Sequence, residues 1–599
     1  MKKIFLLICC LMSGLGLNAQ DTKVAIASAT ASSSHSGHDA TNAVDGSTKT
    51  IWHTNWSSIP DFPVTFTITL SESSHVDFVR YIPRQDGSVN GCWDEVTVAY
   101  SSSLDDSFTE VGTYKLNASK NSYDLYGNYG SKCHRIRFTI QPGGSDSGND
   151  FASAAEIEVY DYSKLKATLD QYFTDNLYTE LKSGVTDSEG IEDAGVKALV
   201  DNLLNDVDAY KKFRVGEYKP YMTLENLRQM LGVNSYYSAY ENPTGVYLKE
   251  GESCWVMVDG IGEDPVKLKI KNWLVNEKSS SYPLRNGLNY ITALTEGNLF
   301  VDYYTDSYKN APNVKVHFIN APVQGYWDYE TMTADDWTTL LSNRPENDST
   351  ILLVQTKHVQ VAYPVFSWKE YCPEPAQVDS LMKMYQQILW AERDILGVEK
   401  YKIEYPNRQF SYVVKEFSGG AMAAGGEGTL TPVYSMHGVM SPEGSDLWVW
   451  GLAHEFGHTN QINPGLRWSG CIEVTNNIYS SWAELHVPNG TGYLRLEDEV
   501  MSGGEFRMRG GRMQAYFEEA LRKEIPWMLH EGQDFYKTTP ETKEVDEYDA
   551  DGKSTGKKVS VQKRNYDHFV KLVPFWQLNL WGTKAEKCKD IIPMTIQGI

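Results

Sequence analysis

After its first nineteen residues the chain has no apolar run near the roughly 18 residues that a bilayer crossing needs, so no membrane-spanning segment is expected in the mature protein. It also lacks an excess of positive charge: 55 Lys and Arg stand against 78 Asp and Glu, a net charge of −23. Phosphate backbones and anionic membrane surfaces are poor partners for such a surface, so nucleic acid is not expected as a partner. Cysteine is sparse and unpatterned. Two of the eight, Cys9 and Cys10, fall in the leader, and Cys92, Cys133, Cys254, Cys372, Cys471 and Cys588 are scattered without a CxxC pair. Export would permit disulfides, but the spacing dictates none. No Gly-Lys-Ser/Thr follows the glycine-rich stretch 418–428, and there is no GxSxG elbow and no catalytic-cysteine context. A phosphate loop and serine or cysteine hydrolase chemistry are thereby disfavoured. Histidine is scarce, 13 in 599 residues, which makes an ordered pair of histidines informative.

What is present begins with a leader. Lys2 and Lys3 precede the apolar run Ile4 to Leu15, and Leu17-Asn18-Ala19 offers a cleavage site before Gln20. Residues 1–19 are read as a signal peptide, which implies secretion or a periplasmic or cell-surface location. Cys9 and Cys10 lie inside the apolar run without the small residues that lipid attachment requires, so free export is expected over a lipid anchor. At 599 residues the chain is too long for one core, and several domains are expected. Residues 21–162 read as an all-β sandwich. Alternating runs such as Val64-Thr65-Phe66-Thr67-Ile68-Thr69-Leu70 and Val96-Thr97-Val98-Ala99-Tyr100 are separated by Gly, Ser, Asn and Asp clusters. Residues 163–214 carry a helical period, as in Leu165, Leu169 and Tyr172, and read as a helical linker. Short strands return over 215–320, a β-rich subdomain, and 321–599 is mixed α+β, with 541–560 an exposed polar hairpin or loop.

The decisive segment is Gly451-Leu452-Ala453-His454-Glu455-Phe456-Gly457-His458, preceded by Asp446, a good helix cap. On a helix, His454 and His458 lie one turn apart on one face and can share a zinc ion. Glu455 can then reach a water on that ion as general base. Catalytic zinc usually takes three protein ligands and keeps one position open. Glu473, fifteen residues beyond His458, is expected to be the third, carried on a second helix after the turn Asn463-Pro464-Gly465. Glu484 is the next acidic candidate if Glu473 faces solvent. Asn477, one turn beyond Glu473, shares its face and is expected to support the ligands. The glycine-rich stretch 418–428 leads into Thr429-Leu430-Thr431. It reads either as an open edge strand that could pair with a substrate backbone or as a plain loop. His437 and His486 are isolated and read as structural.

These residues resemble the enhancin-like, mucin-targeting metallopeptidases of family M-60, whose pattern is HExxH followed by a glutamate. The likeness runs through Gly470-Cys471-Ile472-Glu473-Val474-Thr475-Asn476-Asn477-Ile478, Pro243-Thr244-Gly245-Val246-Tyr247-Leu248 and His358-Val359-Gln360-Val361-Ala362-Tyr363-Pro364, roughly 215 to 583. It implies a gluzincin fold, a catalytic zinc on His454, His458 and Glu473, Glu455 as base, and cleavage of O-glycosylated proteins. Members normally continue with more helix beyond Trp576-Gln577-Leu578-Asn579-Leu580-Trp581, so a C-terminally shortened domain is expected.

The N-terminal domain resembles the discoidin or coagulation-factor 5/8 type C modules, similar to carbohydrate-binding family 32. The matching residues are Asn42-Ala43-Val44-Asp45-Gly46, Thr50-Ile51-Trp52-His53, Pro83-Arg84-Gln85 and Ala155-Glu156-Ile157. The resemblance implies a discoidin-like jelly roll, a structural calcium near Asp45, Thr50 and Glu156, and a sugar met by His53, Arg84 and Asn90. Together these readings describe a multidomain, secreted zinc endopeptidase that a glycan-binding module targets to mucin-type O-glycoproteins. The alternatives are an adhesin whose peptidase domain is inactive, or a gluzincin exopeptidase. The sequence leaves the oligomeric state open.

Overall fold

The computed structural model describes residues 22–105, 107–275, 279–342, 344–442, 448–463, 465–467, 471–487, 495–496, 511–522, 542–548, 554–562, 568–584 and 591–597. The leader, Asp446, Pro464 and Cys588 lie outside the described residues. The protein is multidomain, with a β-sandwich followed by a β-rich region and an α+β region.

The N-terminal module stacks a five-stranded sheet on a three-stranded one. The first runs, in spatial order, Ile26–Ala31, Val64–Ser74, Cys133–Ile140, Glu95–Ser101 and Thr109–Lys115. The second runs Glu156–Tyr160, Phe78–Ile82 and Tyr123–Tyr126. Side chains alternate across a strand, and in Val64–Ser74 this buries Val64, Phe66, Ile68 and Leu70 while the intervening threonines stay half-buried. Phe78–Ile82 is buried at every position, and the same alternation explains why. Val79 and Tyr81 enter the core of the module. Phe78 faces the other way, into a second core shared with later residues.

That second core is a seam. Phe78, Tyr160 and Tyr162 of the module pack with Leu165, Leu169 and Leu199 of the next helices and with Trp255, Tyr290 and Ile319 of the β-rich region. Arg80, on the seam face of its strand, donates from Nε to Asp124 at 2.7 Å and from Nη2 to the main-chain oxygen of Tyr290. Arg285 reaches back from the other side, 3.8 Å from the centroid of the Tyr126 ring. The helices between are Ser163–Tyr172, Ala194–Asn205 and Val207–Lys211. Asp193 caps the second by accepting from the amides of Gly195 and Val196 at 2.9 and 2.8 Å, a contact that typically stabilises by about 1 kcal/mol.

The β-rich region is a pair of four-stranded sheets around Val256, Leu268, Leu299 and Val316. His317, on its strand Val314–Ile319, is fully buried against the helical segment, with Nδ1 2.7 Å from the Leu177 carbonyl and Nε2 2.9 Å from the Tyr210 hydroxyl.

The α+β region holds a six-stranded mixed sheet. Its strands are β1 (Trp327–Asp328), β2 (Ile351–Gln355), β3 (Val359–Pro364), β4 (Gln409–Val414), β5 (Ala423–Gly425) and β6 (Gly428–Pro432), in the order β1-β2-β3-β4-β6-β5. The glycine-rich stretch thus contains the short edge strand β5, antiparallel to β6. Against the sheet lie α1 (Pro375–Ile395), α2 (Val449–Asn460), α3 (Ile472–His486) and α4 (His568–Lys584), sharing one core that includes Trp337, Trp368, Tyr385, Phe456 and Trp576. Residues 542–548 and 554–562 pair as a hairpin. Cys92, Cys133, Cys254 and Cys372 are buried free thiols, and Cys471 is buried as well. Among the described residues no helix is long and apolar enough to cross a membrane.

Candidate functional site

The segment around His454 is the helix α2, which begins at Val449 after Trp448. Its partner α3 packs so closely that a side chain at Gly457 has no room: a Cβ there would come within 2.5 Å of Asn476 Oδ1 and 3.0 Å of Tyr479 Cβ. Thr475, Asn476 and Asn477 of α3 are buried and turned toward α2 and the residue that follows it. Asn476 donates to the His454 carbonyl at 2.6 Å, and Gln461 donates to Thr475 Oγ1 at 2.8 Å. Buried polar groups of this kind need partners, and here the partners fix the register of the two helices.

His454 and His458 therefore stand on one face, ring centroids 4.8 Å apart. Glu473, in the first turn of α3, places one oxygen 3.0 Å from His454 Nε2 and 3.2 Å from His458 Nε2. Ligands at about 2.1 Å from one tetrahedral ion sit about 3.4 Å from each other, so the donor set fits zinc in chemistry and is close to it in spacing. Burial opposes ionisation of Glu473, but hydrogen bonds from the two imidazoles outweigh it and hold the carboxyl well below the usual range. Burial likewise opposes charge on His454, and Glu473 with Glu455 overcomes it, raising the imidazole pKa. Burial pushes the Glu455 carboxyl up, a shift moderated by the two histidines and by the Ala424 amide.

Glu455 opens into a cleft of about 710 Å³, together with His458 and Glu473. The edge strand β5, Ala423 to Gly425, lines the same cleft beside Glu455. Glu484, the other acidic candidate, is turned away: it is buried and paired with Arg495 at 2.9 and 3.0 Å. Asn477 accepts from His454 Nδ1 at 3.1 Å and donates to the Glu473 carbonyl at 2.6 Å. His437 packs edge-on to Trp448, and His486 bonds the Trp482 carbonyl at 2.8 Å, so both are structural.

Several residues near the site carry no local sequence signal. Asn234, Ser235 and Arg467 line the cleft. His568, at the start of α4, senses the charges of Glu473 and His454. Its pKa is pushed down to about 4, chiefly by burial. Only the folding of distant segments onto α2 and α3 brings them there.

In the module, Asp45, Thr50 and Glu156 converge. Thr50 Oγ1 donates to Asp45 Oδ2 at 2.7 Å, and Glu156 accepts the amides of Gly46 and Ser47 at 3.1 Å. Burial, helped by Glu158 and Asp45, raises the Glu156 carboxyl to about 7. His53, Arg84 and Asn90 line one cleft of about 280 Å³ with Trp56 and Phe151. Arg84 is held by Asp86 at 2.6 Å and by the Asn90 carbonyl at 3.1 Å. His53 Nδ1 lies 2.7 Å from the Thr54 carbonyl. A carbonyl only accepts, so the proton is on Nδ1 and Nε2 is left as an acceptor. Trp56 is exposed in a serine-rich loop, and a large aromatic in such a setting is the signal by which it could have been found.

Residues 323–587 match the family model for Peptidase M60, enhancin and enhancin-like. The chain carries an M60 peptidase domain. M60 is a metallopeptidase family, and membership implies zinc. Residues 28–160 match the F5/8 type C domain, so the M60 domain follows a discoidin-type module. Among solved structures, a metallopeptidase from Bacteroides thetaiotaomicron is 18% identical over 69% of this chain and 79% of that one, with a TM-score of 0.47. The CBM32-1, CBM32-2 and M60 catalytic domains of Clostridium perfringens ZmpB are 16% identical over 84% of this chain and 58% of that one, with a TM-score of 0.42. A galactose oxidase from Gibberella zeae is 30% identical over 141 residues, 23% of this chain. The chain spans only 20% of the length of that oxidase.

Proposed function

We propose that this protein is a secreted zinc endopeptidase that cleaves mucin-like O-glycoproteins and is held on them by its N-terminal module. The observation that carries the reading is the convergence of His454, His458 and Glu473 beside Glu455, in a cleft that the edge strand β5 also lines. Zinc bound by those three residues supplies a Lewis acid that polarises a carbonyl and acidifies water. Glu455 is the proton acceptor and returns that proton to the leaving amine. Asn477 holds His454 in one tautomer with Nε2 toward the site. The edge strand β5 offers main-chain hydrogen bonds that align an extended peptide.

In the module, His53, Arg84 and Asn90 are proposed to meet sugar hydroxyls while Trp56 and Phe151 cover an apolar sugar face. Calcium near Asp45, Thr50 and Glu156 is proposed to neutralise the two carboxylates. The test is incubation with mucin and with its deglycosylated form, with and without chelator, followed by mass spectrometry of fragments. Chelator-sensitive cleavage of the glycosylated form alone is expected. Equal cleavage of both forms would make this a general endopeptidase.

A further inference from the structure

Three depressions along the module share walls. The sugar cleft of about 280 Å³ shares His38, Ile51 and Asp86 with a neighbour of about 480 Å³. That neighbour shares Thr48 and Gln85 with a third, of about 420 Å³, on the seam. There, Glu250, Ser253, Tyr282 and Thr292 of the β-rich region face Arg80 and Tyr160 of the module. The three therefore adjoin one another as a trough of neighbouring compartments that starts at His53 and ends on the flank of the β-rich region. Its two larger compartments each have the volume that small-molecule ligands fill.

The lining specifies the ligand class. Its charges are compensated: Lys23 pairs with Glu158, Arg80 with Asp124 at 2.7 Å, and Arg84 with Asp86 at 2.6 Å. Lys49 and Glu250 add one charge of each sign. What remains is hydroxyls and amides, from Thr48, Gln85, Ser122, Ser253 and Thr292, beside apolar surface from Ile82, Pro283 and Leu294. A polyanion or polycation finds no complementary field there. A neutral chain with many hydroxyls and apolar faces finds donors, acceptors and contact area along the whole length.

We propose that the trough is a single extended glycan site, which takes a neutral oligosaccharide of several residues with its far end on the β-rich region. This rests on the sugar-binding reading of the cleft at His53. It assigns Thr48, Gln85, Ser253 and Thr292 to ligand binding, and it makes the module and the β-rich region joint owners of one ligand.

The test is isothermal titration of the full chain with free galactose and with neutral, galactose-capped oligosaccharides of two to five residues. Affinity is expected to rise at least tenfold with length and to change little between 50 mM and 500 mM salt. Thr48→Trp, at the waist between compartments, should abolish that gain and keep galactose binding. Glu250→Trp, exposed on the opposite flank, should remove the gain of the longest chains only. Equal affinity for galactose and every oligosaccharide overturns the extended site while leaving the single-sugar reading intact. Binding of neither sugar overturns both. A gain with length that survives both substitutions, or that collapses with salt, overturns the assignment of the trough.

Discussion

His454 Nδ1 lies 3.1 Å from Asn477 Oδ1, and the other end of the same amide donates to the Glu473 carbonyl at 2.6 Å. That second bond fixes which way the amide faces, because a carbonyl can only accept. Oδ1 must then accept from Nδ1–H, and Nε2 is free to bind metal. One asparagine thereby sets the tautomer of one proposed ligand and tethers the backbone of another. Replacing such a support usually costs 10–100-fold in metal affinity. Asn477→Ala should lose about that much zinc affinity in a chelator competition while circular dichroism stays unchanged. Unaltered affinity would remove Asn477 from the site.

Glu455 and Glu473 are both glutamates of the cleft, yet they should fail differently. Glu455→Gln keeps the donor set His454, His458 and Glu473 and should bind about one zinc per chain with no proteolysis. Glu473→Ala removes a ligand and should lower the metal content itself. Elemental analysis after dialysis separates the two. Full zinc and full activity in Glu473→Ala would return the third-ligand assignment to an open question.

Gly457 should be intolerant of any side chain. The added methyl of Gly457→Ala would press on Asn476, which is anchored to the His454 carbonyl, and on Tyr479. Overpacking of this kind costs about 1–3 kcal/mol, against the roughly 1 kcal/mol that alanine gains over glycine in a helix. Gly451→Ala, on the same helix, meets only the flexible tip of Met422 at 3.2 Å and the Trp448 Cβ at 3.6 Å. Thermal melts should show Gly457→Ala destabilised and Gly451→Ala unchanged or slightly more stable. The reverse order would contradict the helix packing.

His317 should make stability depend on pH. Burial pushes its pKa from 6.5 down to about 4, and both ring nitrogens are already bonded in the neutral form. The unfolded chain therefore binds the proton more readily than the folded one between these values. The stability contribution is complete above pH 6.5 and is lost as pH falls toward 4, at about 3 kcal/mol in all. Urea midpoints should fall from pH 7.5 to pH 5 in the wild type, and the fall should be shallower in His317→Gln. Parallel profiles would assign the acid sensitivity elsewhere.

The sequence made local things legible. The period of two in Val64 to Leu70 and the one-turn spacing of His454 and His458 both depend only on backbone geometry, and both match the structure. Glu473 was expected on a second helix, and it stands in the first turn of α3. What could not be read were approaches across long stretches of chain. Arg467 and Asn234 meet on one cleft because the core of the whole region assembles them. The double-sided burial of Phe78–Ile82 was also hidden. Its second face is covered by residues some two hundred positions away, and no window of local pattern registers that.

The seam also decides how this protein can be taken apart. A fragment ending at residue 162 retains Phe78, Tyr160 and Tyr162 but loses Leu165, Leu199, Trp255 and Tyr290, which cover them. It also leaves the Arg80 guanidinium without its carbonyl partner on Tyr290. Such a piece would carry an adhesive aromatic face, prone to self-association and to unspecific capture of ligands in a binding assay. Trimming within the first 320 residues therefore calls for a cut that keeps the strand Ser253–Asp259 and its neighbours together with the module.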